Sequence, residues 1–158
     1  MALSPARETA HPPPMNKLRF LLLLAAALGA LLLPRPLRAA ALEGPTWTLT
    51  ELAGKAFVAP AGGRGAPTLQ FEAAKKSANG FSGVNRYFGG YEKDGDKLKF
   101  GAIAGTKIAG PPEAMQAERA FHSMLVSVSQ WQIADGALAL LSEGKVVARF
   151  AARPAGEK

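Results

Sequence analysis

Hydrophobic residues alternate with polar residues along several short stretches of this chain. Three such stretches contain the pairs Trp47 and Leu49, Leu69 and Phe71, and Leu98 and Phe100. Successive side chains of a β-strand point to opposite faces of its sheet, so a period of two predicts strands with one buried face. Turn-forming residues separate the stretches, which favours a mainly β fold built from short antiparallel strands.

Two Asp-Gly pairs predict tight hairpin turns, because both central residues of a type I′ turn have positive φ. A loop at Asp94-Gly95 would match opposite charges outside and apolar groups inside, pairing Lys93 with Asp96, Glu92 with Lys97, and Tyr91 with Leu98. A loop at Asp135-Gly136 would join two apolar pairs, Ile133 with Leu138 and Trp131 with Leu140. We therefore predict a hairpin at each site.

The third turn is predicted from the register that it imposes on the last strand. A two-residue loop at Glu143-Gly144 would oppose Leu138 with Arg149 and turn Phe150 to the other face. A three-residue loop over 142–144 instead places four apolar residues on one face, namely Leu138, Leu140, Val146 and Ala148. We therefore expect the longer loop, with Arg149 in solvent and the final strands near 130–134, 137–141 and 145–152.

One stretch, from Pro111 to Gln130, has the period of a helix instead. Its apolar residues recur at intervals of three and four: Met115, Phe121, Leu125 and Val128, with Ala114, Ala117 and Met124 beside them. Proline at its start suits the first turn of a helix. We expect one amphipathic helix that covers an open side or end of a curved sheet, and irregular connections over 59–66 and 101–110.

The first 41 residues have the composition of an export signal. Lys17 and Arg19 precede 14 consecutive apolar or small residues, and further small residues follow at 39–41. Such a run is shorter than the roughly 20 residues that span a bilayer. We predict a cleaved signal peptide over 15–41, with Leu42 as the new first residue, after a non-native leader or upstream start over 1–14. An uncleaved membrane anchor is the alternative, and it is the only membrane association that we expect.

Composition excludes several classes of functional site for the remaining domain, 42–158. The chain has 158 residues and no cysteine, which leaves room for one domain and excludes disulfides, thiolate metal sites, a cysteine nucleophile and a lipid-modified cysteine. Residues 1–41 hold five basic residues and one acidic residue, so their loss lowers the formal charge from +7 to +3. The basic residues are not clustered, so this net charge does not indicate a surface that binds nucleic acid.

The domain's sequence lacks the spacing of known catalytic and metal-binding motifs. Its single histidine, His122, lies beside the apolar helix stripe, where we expect a surface or boundary residue, and Ser82 lacks the spacing of a nucleophile elbow. The acids around the first hairpin turn lack calcium-loop spacing. We therefore predict no catalytic residue, cofactor or metal. A carboxylate pair for glycoside hydrolysis, chosen from Glu51, Glu72 and Glu118, stays open as an alternative.

Two blocks of sequence resemble a known family. They are Gly80-x-x-Gly83-Val84-Asn85-Arg86-Tyr87, and Thr106-Lys107-Ile108-Ala109-Gly110 ahead of the helix. Together with the pattern of strands and helix, they resemble the META domain of HslJ-type heat-shock proteins over nearly all of 42–158. The resemblance implies an antiparallel, partly closed β fold with one helix, an exported or envelope-associated location, a link with stress tolerance and no established catalytic activity.

The chain departs from the family at two positions. The family usually has cysteine where this chain has Val84 and Gly110, so we expect no thiol chemistry here. If the family's cysteines are partners, Val84 and Gly110 should be neighbours, with Cα atoms within about 7 Å.

Five motif residues are predicted to have structural roles: Gly83, Asn85, Arg86, Thr106 and Glu118. Asn85 and Thr106 suit hydrogen bonds to the backbone of irregular segments, and contact of Asn85 with a ligand is the alternative. Glu118 interrupts the apolar helix stripe, where a carboxylate is costly unless it is paired or hydrogen-bonded. Arg86 is a candidate partner, and a functional role of Glu118 remains open.

These observations together predict a mainly β (α+β) domain whose antiparallel, curved and partly closed sheet carries one packed amphipathic helix. We expect a non-enzymatic periplasmic or secreted protein, not a lipoprotein, that binds an unknown protein or small ligand during envelope stress. The alternatives are a small periplasmic inhibitor or ligand carrier that uses the barrel mouth, and a carboxylate-dependent hydrolase. An exposed apolar surface favours interaction, a pocket with convergent polar groups favours a carrier, and two carboxylates about 5 to 9 Å apart favour hydrolysis.

Overall fold

The structure is a computed structural model that describes residues 41–153. In this part of the chain the strands are β1 (Thr46–Leu52), β2 (Lys55–Ala56), β3 (Thr68–Glu72), β4 (Ser77–Phe81), β5 (Arg86–Asp94), β6 (Lys97–Gly105), β7 (Gln130–Ala134), β8 (Ala137–Ser142) and β9 (Lys145–Arg153). One α-helix, α1 (Pro112–Ser127), and a short 3-10 helix, Ala73–Lys75, complete the elements. The predicted leader, 1–14, and all but the last residue of the predicted signal peptide, 15–41, lie outside the described residues.

Eight strands close into an antiparallel barrel, which confirms the predicted mainly β fold. The order is β1-β3-β4-β5-β6-β7-β8-β9, and β9 pairs back onto β1. At the closure, Trp47 lies opposite Leu69 on one side and opposite Ala152 on the other. The two-residue strand β2 forms a hairpin with the end of β1 and stays outside the barrel. Closure removes most of the free strand edges that an open sheet of this length would expose.

Large side chains fill the inside of the barrel. Trp47, Phe71 and Phe150 are almost completely buried, together with Leu69, Leu98, Leu138 and Leu140. Each such side chain contributes roughly 1.5 to 3 kcal/mol to stability by leaving water. The chain before β1 joins this core, because Leu42 is buried and its carbonyl accepts a 2.8 Å hydrogen bond from the Trp47 indole.

Helix α1 packs on the barrel through the predicted apolar stripe. Phe121 is fully buried, and its ring makes edge contacts with Phe150, at 6.4 Å between centroids, and with Tyr87, at 5.6 Å. The helix ends at Ser127, three residues earlier than predicted, because Val128 is extended and Gln130 already belongs to β7. None of the helices within residues 41–153 has the length and hydrophobicity needed to cross a membrane.

The predicted Asp135-Gly136 hairpin is confirmed, and the Asp94-Gly95 loop is wrong. In the first, φ is +52° and +75° at the two turn residues, and Ile133 faces Leu138 as expected. In the second, the loop residues are Gly95 and Asp96, and the strand pairs become Asp94 with Lys97, Glu92 with Lys99, Lys93 with Leu98, and Tyr91 with Phe100. Only Gly95 has positive φ there, as a type II′ turn requires. The pairing of β5 with β6 is shifted by two residues from the predicted pairing, so each side chain still points to the predicted face of the sheet.

The predicted three-residue loop before β9 is also wrong. The loop is Glu143-Gly144, with φ of +50° and +77°. Two residue pairs beyond this loop, a β-bulge at Val147 shifts the register by one residue, after which Leu140 faces Ala148 and Leu138 faces Phe150. Leu138, Leu140 and Ala148 are buried and Arg149 is exposed, as predicted, whereas Val146 is only partly buried.

The barrel has a weak seam between β6 and β7. These strands share the single pair Lys97 with Gln130, whereas β5 and β6 share seven. Gly101–Gly105, predicted to be irregular, continues β6 along β5, and only 106–111 are irregular. Among the described residues, no strand lies on the other side of this second half of β6, and helix α1 packs against β6 instead.

Amide hydrogen exchange should reveal this seam. Ala104 faces Phe88 of β5, whereas strand alternation directs the Ile103 amide toward the unpaired side. We expect the Ile103 amide to exchange at least about tenfold faster than that of Ala104, measured by NMR under native conditions. Equal protection of both amides would contradict an open seam.

Candidate functional site

The carboxylate of Glu118 is buried beneath the turn between β4 and β5. Its side chain belongs to α1, and the residue is 6% exposed. One oxygen, Oε2, accepts hydrogen bonds from the Ser82 hydroxyl at 2.7 Å, from the backbone amide of Asn85 at 2.8 Å and from the backbone amide of Val84 at 3.3 Å. The other, Oε1, accepts one from the Asn85 side-chain nitrogen at 2.8 Å. Four donors therefore converge on one carboxylate.

The local sequence explains why the turn can present two backbone amides to one oxygen. Gly83 has φ of +110°, a conformation that side chains strongly disfavour, and the chain reverses there. Successive amides in such a turn form a concave nest for an anion, and here the occupant is the protein's own carboxylate. The Ser82 hydroxyl lies 2.7 Å from Glu118 Oε2 and 2.9 Å from the Asn85 carbonyl, so its single hydrogen is shared between two acceptors, while the Ser82 amide also donates to that carbonyl at 2.8 Å.

The Asn85 side chain extends these bonds to the connection between β6 and α1. Its Oδ1 accepts hydrogen bonds from the Thr106 hydroxyl and from the Ile108 amide, both at 2.7 Å. Its Nδ2 donates to the Ile108 carbonyl at 3.1 Å as well as to Glu118. The Thr106 hydroxyl in turn accepts from the Arg86 amide at 3.2 Å. We call Ser82, Asn85, Thr106 and Glu118 the Glu118 cluster.

The cluster keeps its carboxylate ionised. Burial raises the pKa of Glu118, but the hydrogen bonds from Ser82, Asn85 and Val84 outweigh burial and hold this pKa below its ordinary value. A carboxylate with all of these bonds satisfied stabilises the fold, whereas the protonated form would lose acceptor capacity toward four donors.

Asn85 and Thr106 bond the backbone of irregular segments as predicted, but the partners of Glu118 differ from the prediction. Arg86 does not pair with Glu118, since its side chain is exposed and its backbone amide bonds Thr106. The true partners include Ser82 and the backbone amide of Val84, which we did not predict. The signal available was the Ser-Gly step at 82–83, which places a hydroxyl and a reversing glycine next to Asn85.

His122 lies at the boundary of the core, as predicted. Its ring packs against Tyr87 at 5.6 Å and Phe121 at 6.1 Å between centroids. Within the described residues its Nε2 has no hydrogen-bond partner. Burial lowers the pKa of His122, although the nearby Glu118 charge acts in the opposite direction. The imidazole is therefore neutral at pH 7.

The three acids considered for hydrolysis have separate partners. Glu51 forms an ion pair with Arg149 at 3.5 Å, and Glu72 forms one with Lys75 at 2.8 Å, while Glu118 belongs to the buried cluster. Across residues 41–153, no three or more histidine, aspartate or glutamate side chains gather in a way that could hold a metal ion.

An open surface pocket lies directly over the Glu118 cluster. Its volume is about 310 Å³, and its lining residues are Arg64, Phe81, Val84, Arg86, Thr106 and Ile108. We call it the arginine pocket. The loop that carries Arg64 is fixed to the same turn, because the Arg64 amide donates to the Gly83 carbonyl at 2.9 Å.

The fold and this motif geometry define a META domain. The model of that domain matches residues 40–154, so the chain belongs to the META domain family. The chain is similar to an NMR structure of a protein from Burkholderia xenovorans, with 24% identity over 97% of this chain and 99% of that one, and a TM-score of 0.57. A second NMR structure is 18% identical over 69% of this chain and 89% of that one, with a TM-score of 0.53. These likenesses show the fold, and no curated protein matches the chain.

Replacing Glu118 by glutamine should destabilise the protein most at neutral pH. Glutamine keeps the shape but loses the charge and presents an amide group to the donors of the turn, so we expect a loss of roughly 2 to 4 kcal/mol at pH 7. Because the folded-state pKa of Glu118 is lowered, its contribution is present above the unfolded value near 4.5 and is lost as the pH falls through the folded value.

Urea unfolding, followed by tryptophan fluorescence between pH 7 and pH 3, tests this expectation. The stability difference between wild type and Glu118→Gln should shrink as the pH falls below about 4.5. Glu113→Gln, an exposed change on the same helix, is the control and should cost less than about 1 kcal/mol. A pH-independent difference would rule out the ionised carboxylate as the stabilising species.

Val84 and Gly110, the two positions where the resemblance implies cysteine, are neighbours. A Cβ atom built on Gly110 would lie 2.9 Å and 3.0 Å from the two methyl carbons of Val84. Gly110→Cys alone should therefore destabilise the protein by crowding Val84. Val84→Cys with Gly110→Cys removes that crowding and should form a disulfide around a loop of about 27 residues, adding roughly 3 to 4 kcal/mol less any strain.

Thiol titration and urea unfolding with and without reductant measure this effect. A double variant whose two thiols stay free under oxidising conditions would show that the geometry does not suit a bridge.

Proposed function

We propose that this META-domain protein is exported and acts without catalysis, by binding a protein or small ligand through its outer surface during envelope stress. The observation that carries the proposal is the internal saturation of the Glu118 cluster. The four hydrogen bonds that the Glu118 carboxylate accepts all come from neighbouring parts of the same chain. Such a group stabilises structure and is poorly placed to exchange protons with a substrate.

The filled barrel directs binding to the outside of the molecule. Trp47, Phe71 and Phe150 occupy the interior that a carrier of the barrel-mouth type would need to leave open. The outer surface instead exposes large apolar side chains, namely Val58 (81%), Phe88 (63%), Ile108 (50%) and Val126 (69%). Ile108 is the one that also lines the arginine pocket. This supports surface recognition over an internal carrier.

Export and the stress role rest on the leader sequence and on the family resemblance. A signal peptide over 15–41 fits the position of Leu42, which begins the packed core, so cleavage just before Leu42 would leave the core contacts in place. N-terminal sequencing of the protein from the periplasm or medium should give a first residue between 40 and 43. A first residue of Met1 or Met15 would contradict cleavage.

Complementation of a deletion strain under heat and envelope stress tests the whole proposal. Wild type and His122→Ala should restore tolerance equally, because the buried Nε2 of His122 has no hydrogen-bond partner within the described residues that could orient it as a base. A version without residues 15–41 should fail, because it stays in the cytoplasm. Rescue by that version would exclude an envelope role, and failure of a fully folded His122→Ala would exclude the non-enzymatic mechanism.

A further inference from the structure

The arginine pocket combines two cations with an apolar floor. Arg64 and Arg86 line it on the polar side, while Phe81, Val84 and Ile108 supply apolar surface. Within residues 41–153, no acidic side chain lines this pocket. Among the ion pairs of the described residues, neither arginine takes part. The ionised Glu118 carboxylate beneath the pocket is occupied by four internal donors, so the two arginines remain available to an external anion beside apolar surface.

Two other surface pockets lack this combination. Both are lined by lysine, but both also contain Glu92, and one of them contains Glu43 in addition. Glu43 already forms an ion pair with Lys93 at 2.7 Å. Internal acids compensate the cations of these two pockets, so charge alone does not favour a bound anion there.

The Glu118 cluster holds the floor of the arginine pocket in place before any ligand binds. The turn that carries Val84 and Arg86 is bound to Glu118 through the amides of Val84 and Asn85. The connection that carries Ile108 is bound on both its amide and its carbonyl by the Asn85 side chain. A floor that is already ordered loses little entropy when a ligand binds.

The lining also limits the chemistry of the ligand. Guanidinium groups bind planar carboxylates through paired hydrogen bonds. The Thr106 hydroxyl is already used by Asn85 and by the Arg86 amide, so it adds no free donor. At about 310 Å³ the pocket is at the small end of the range for ligand sites and suits a group of about ten heavy atoms.

We propose that the arginine pocket binds a carboxylate carried on an apolar body, with the carboxylate between Arg64 and Arg86 and the apolar part on Phe81 and Ile108. This inference rests on the proposed function, since it names the ligand chemistry of the outer surface. The same chemistry occurs in a medium-chain fatty acid and at the C-terminus of a peptide with an apolar last residue. The experiment separates these two sources.

Binding is measured by NMR titration of the ¹⁵N-labelled protein, expressed with its leader and purified in the form that the cell exports. The probes are octanoate, its neutral analogue octanamide, and acetate, together with an acetylated tripeptide that ends in leucine and the C-terminal amide of that tripeptide. We expect octanoate or the free-acid peptide to shift the amides of Val84, Arg86 and Ile108. The neutral analogues should bind at least about tenfold more weakly, because they lack the charge. Acetate should bind weakly, because it lacks the apolar body.

Variants assign the binding to the two arginines. Arg64→Gln and Arg86→Gln should each weaken binding about three- to tenfold, and the double variant should abolish it. Arg153→Gln, which removes an exposed arginine that does not line the pocket, is the matched control and should leave affinity unchanged. The amides of Gly90 and Gly101 report on the second, lysine-lined pocket and should not shift.

Each outcome decides the inference. Binding of octanoate alone assigns the pocket to free acids, and binding of the peptide alone assigns it to chain termini. Either result supports the proposed chemistry. Equal affinity for octanoate and octanamide, equal effects of Arg153→Gln and Arg86→Gln, or no shift with any probe would overturn it. The complementation experiment is independent, so an exported, stress-protective protein without anion binding would disprove this inference alone.

Discussion

The rest of this region depends on the hydrogen bonds that the buried carboxylate of Glu118 accepts. Removing a charge from water is costly, and this cost is met only because four donors reach the carboxylate from a single turn. The turn can do so because Gly83 adopts φ of +110°. In return the carboxylate anchors helix α1 to the end of β4 and the start of β5. Helix position and turn conformation are therefore fixed together.

This anchor matters because the barrel closes unevenly. The other seven pairings of neighbouring barrel strands have at least three residue pairs each, but β6 and β7 share one. Helix α1 lies between these two strands in sequence and packs against β6. A helix that covers a seam must be held in place, and Phe121 and Glu118 do this in different ways. Phe121 contributes apolar burial, which is non-directional, whereas Glu118 fixes the helix through directional hydrogen bonds.

The sequence was sufficient to predict which residues face the core, but not how each turn sets its register. Alternation placed Leu98 and Phe100 inside correctly, although the Gly95 loop lies one position further along the chain than expected. When the pairing of two strands shifts by two residues, every side chain keeps its face, so the pattern of apolar residues cannot reveal the shift. Near Gly144, the apolar faces show that a two-residue loop alone gives β9 the wrong register, but either a longer loop or a bulge restores it. The chain uses a bulge at Val147.

The site was predicted only in part, for a related reason. A glutamate within an apolar stripe signals a buried partner, which is why Glu118 stood out. Side-chain chemistry suggested Arg86, but two of the actual donors are backbone amides that every residue possesses. Their availability depends on φ at Gly83, which is a property of the folded turn. Residue types reveal that a buried charge needs compensation, whereas only the fold reveals which amides are free.

The family resemblance implies cysteines at positions 84 and 110, and because this chain has neither, other contacts must join these two segments. Val84 and Gly110 are neighbours, and they belong to the two segments that the Asn85 side chain already joins through Ile108. A disulfide there would tie these segments covalently and would respond to redox conditions. In this chain the tie consists of the hydrogen bonds between the Asn85 side chain and Thr106 and Ile108, and Glu118 holds that side chain through its Nδ2. The turn is thus held against the connection into α1 by directional hydrogen bonds, which depend on the side chain of Asn85 being oriented by Glu118, rather than by a covalent bond between two thiols.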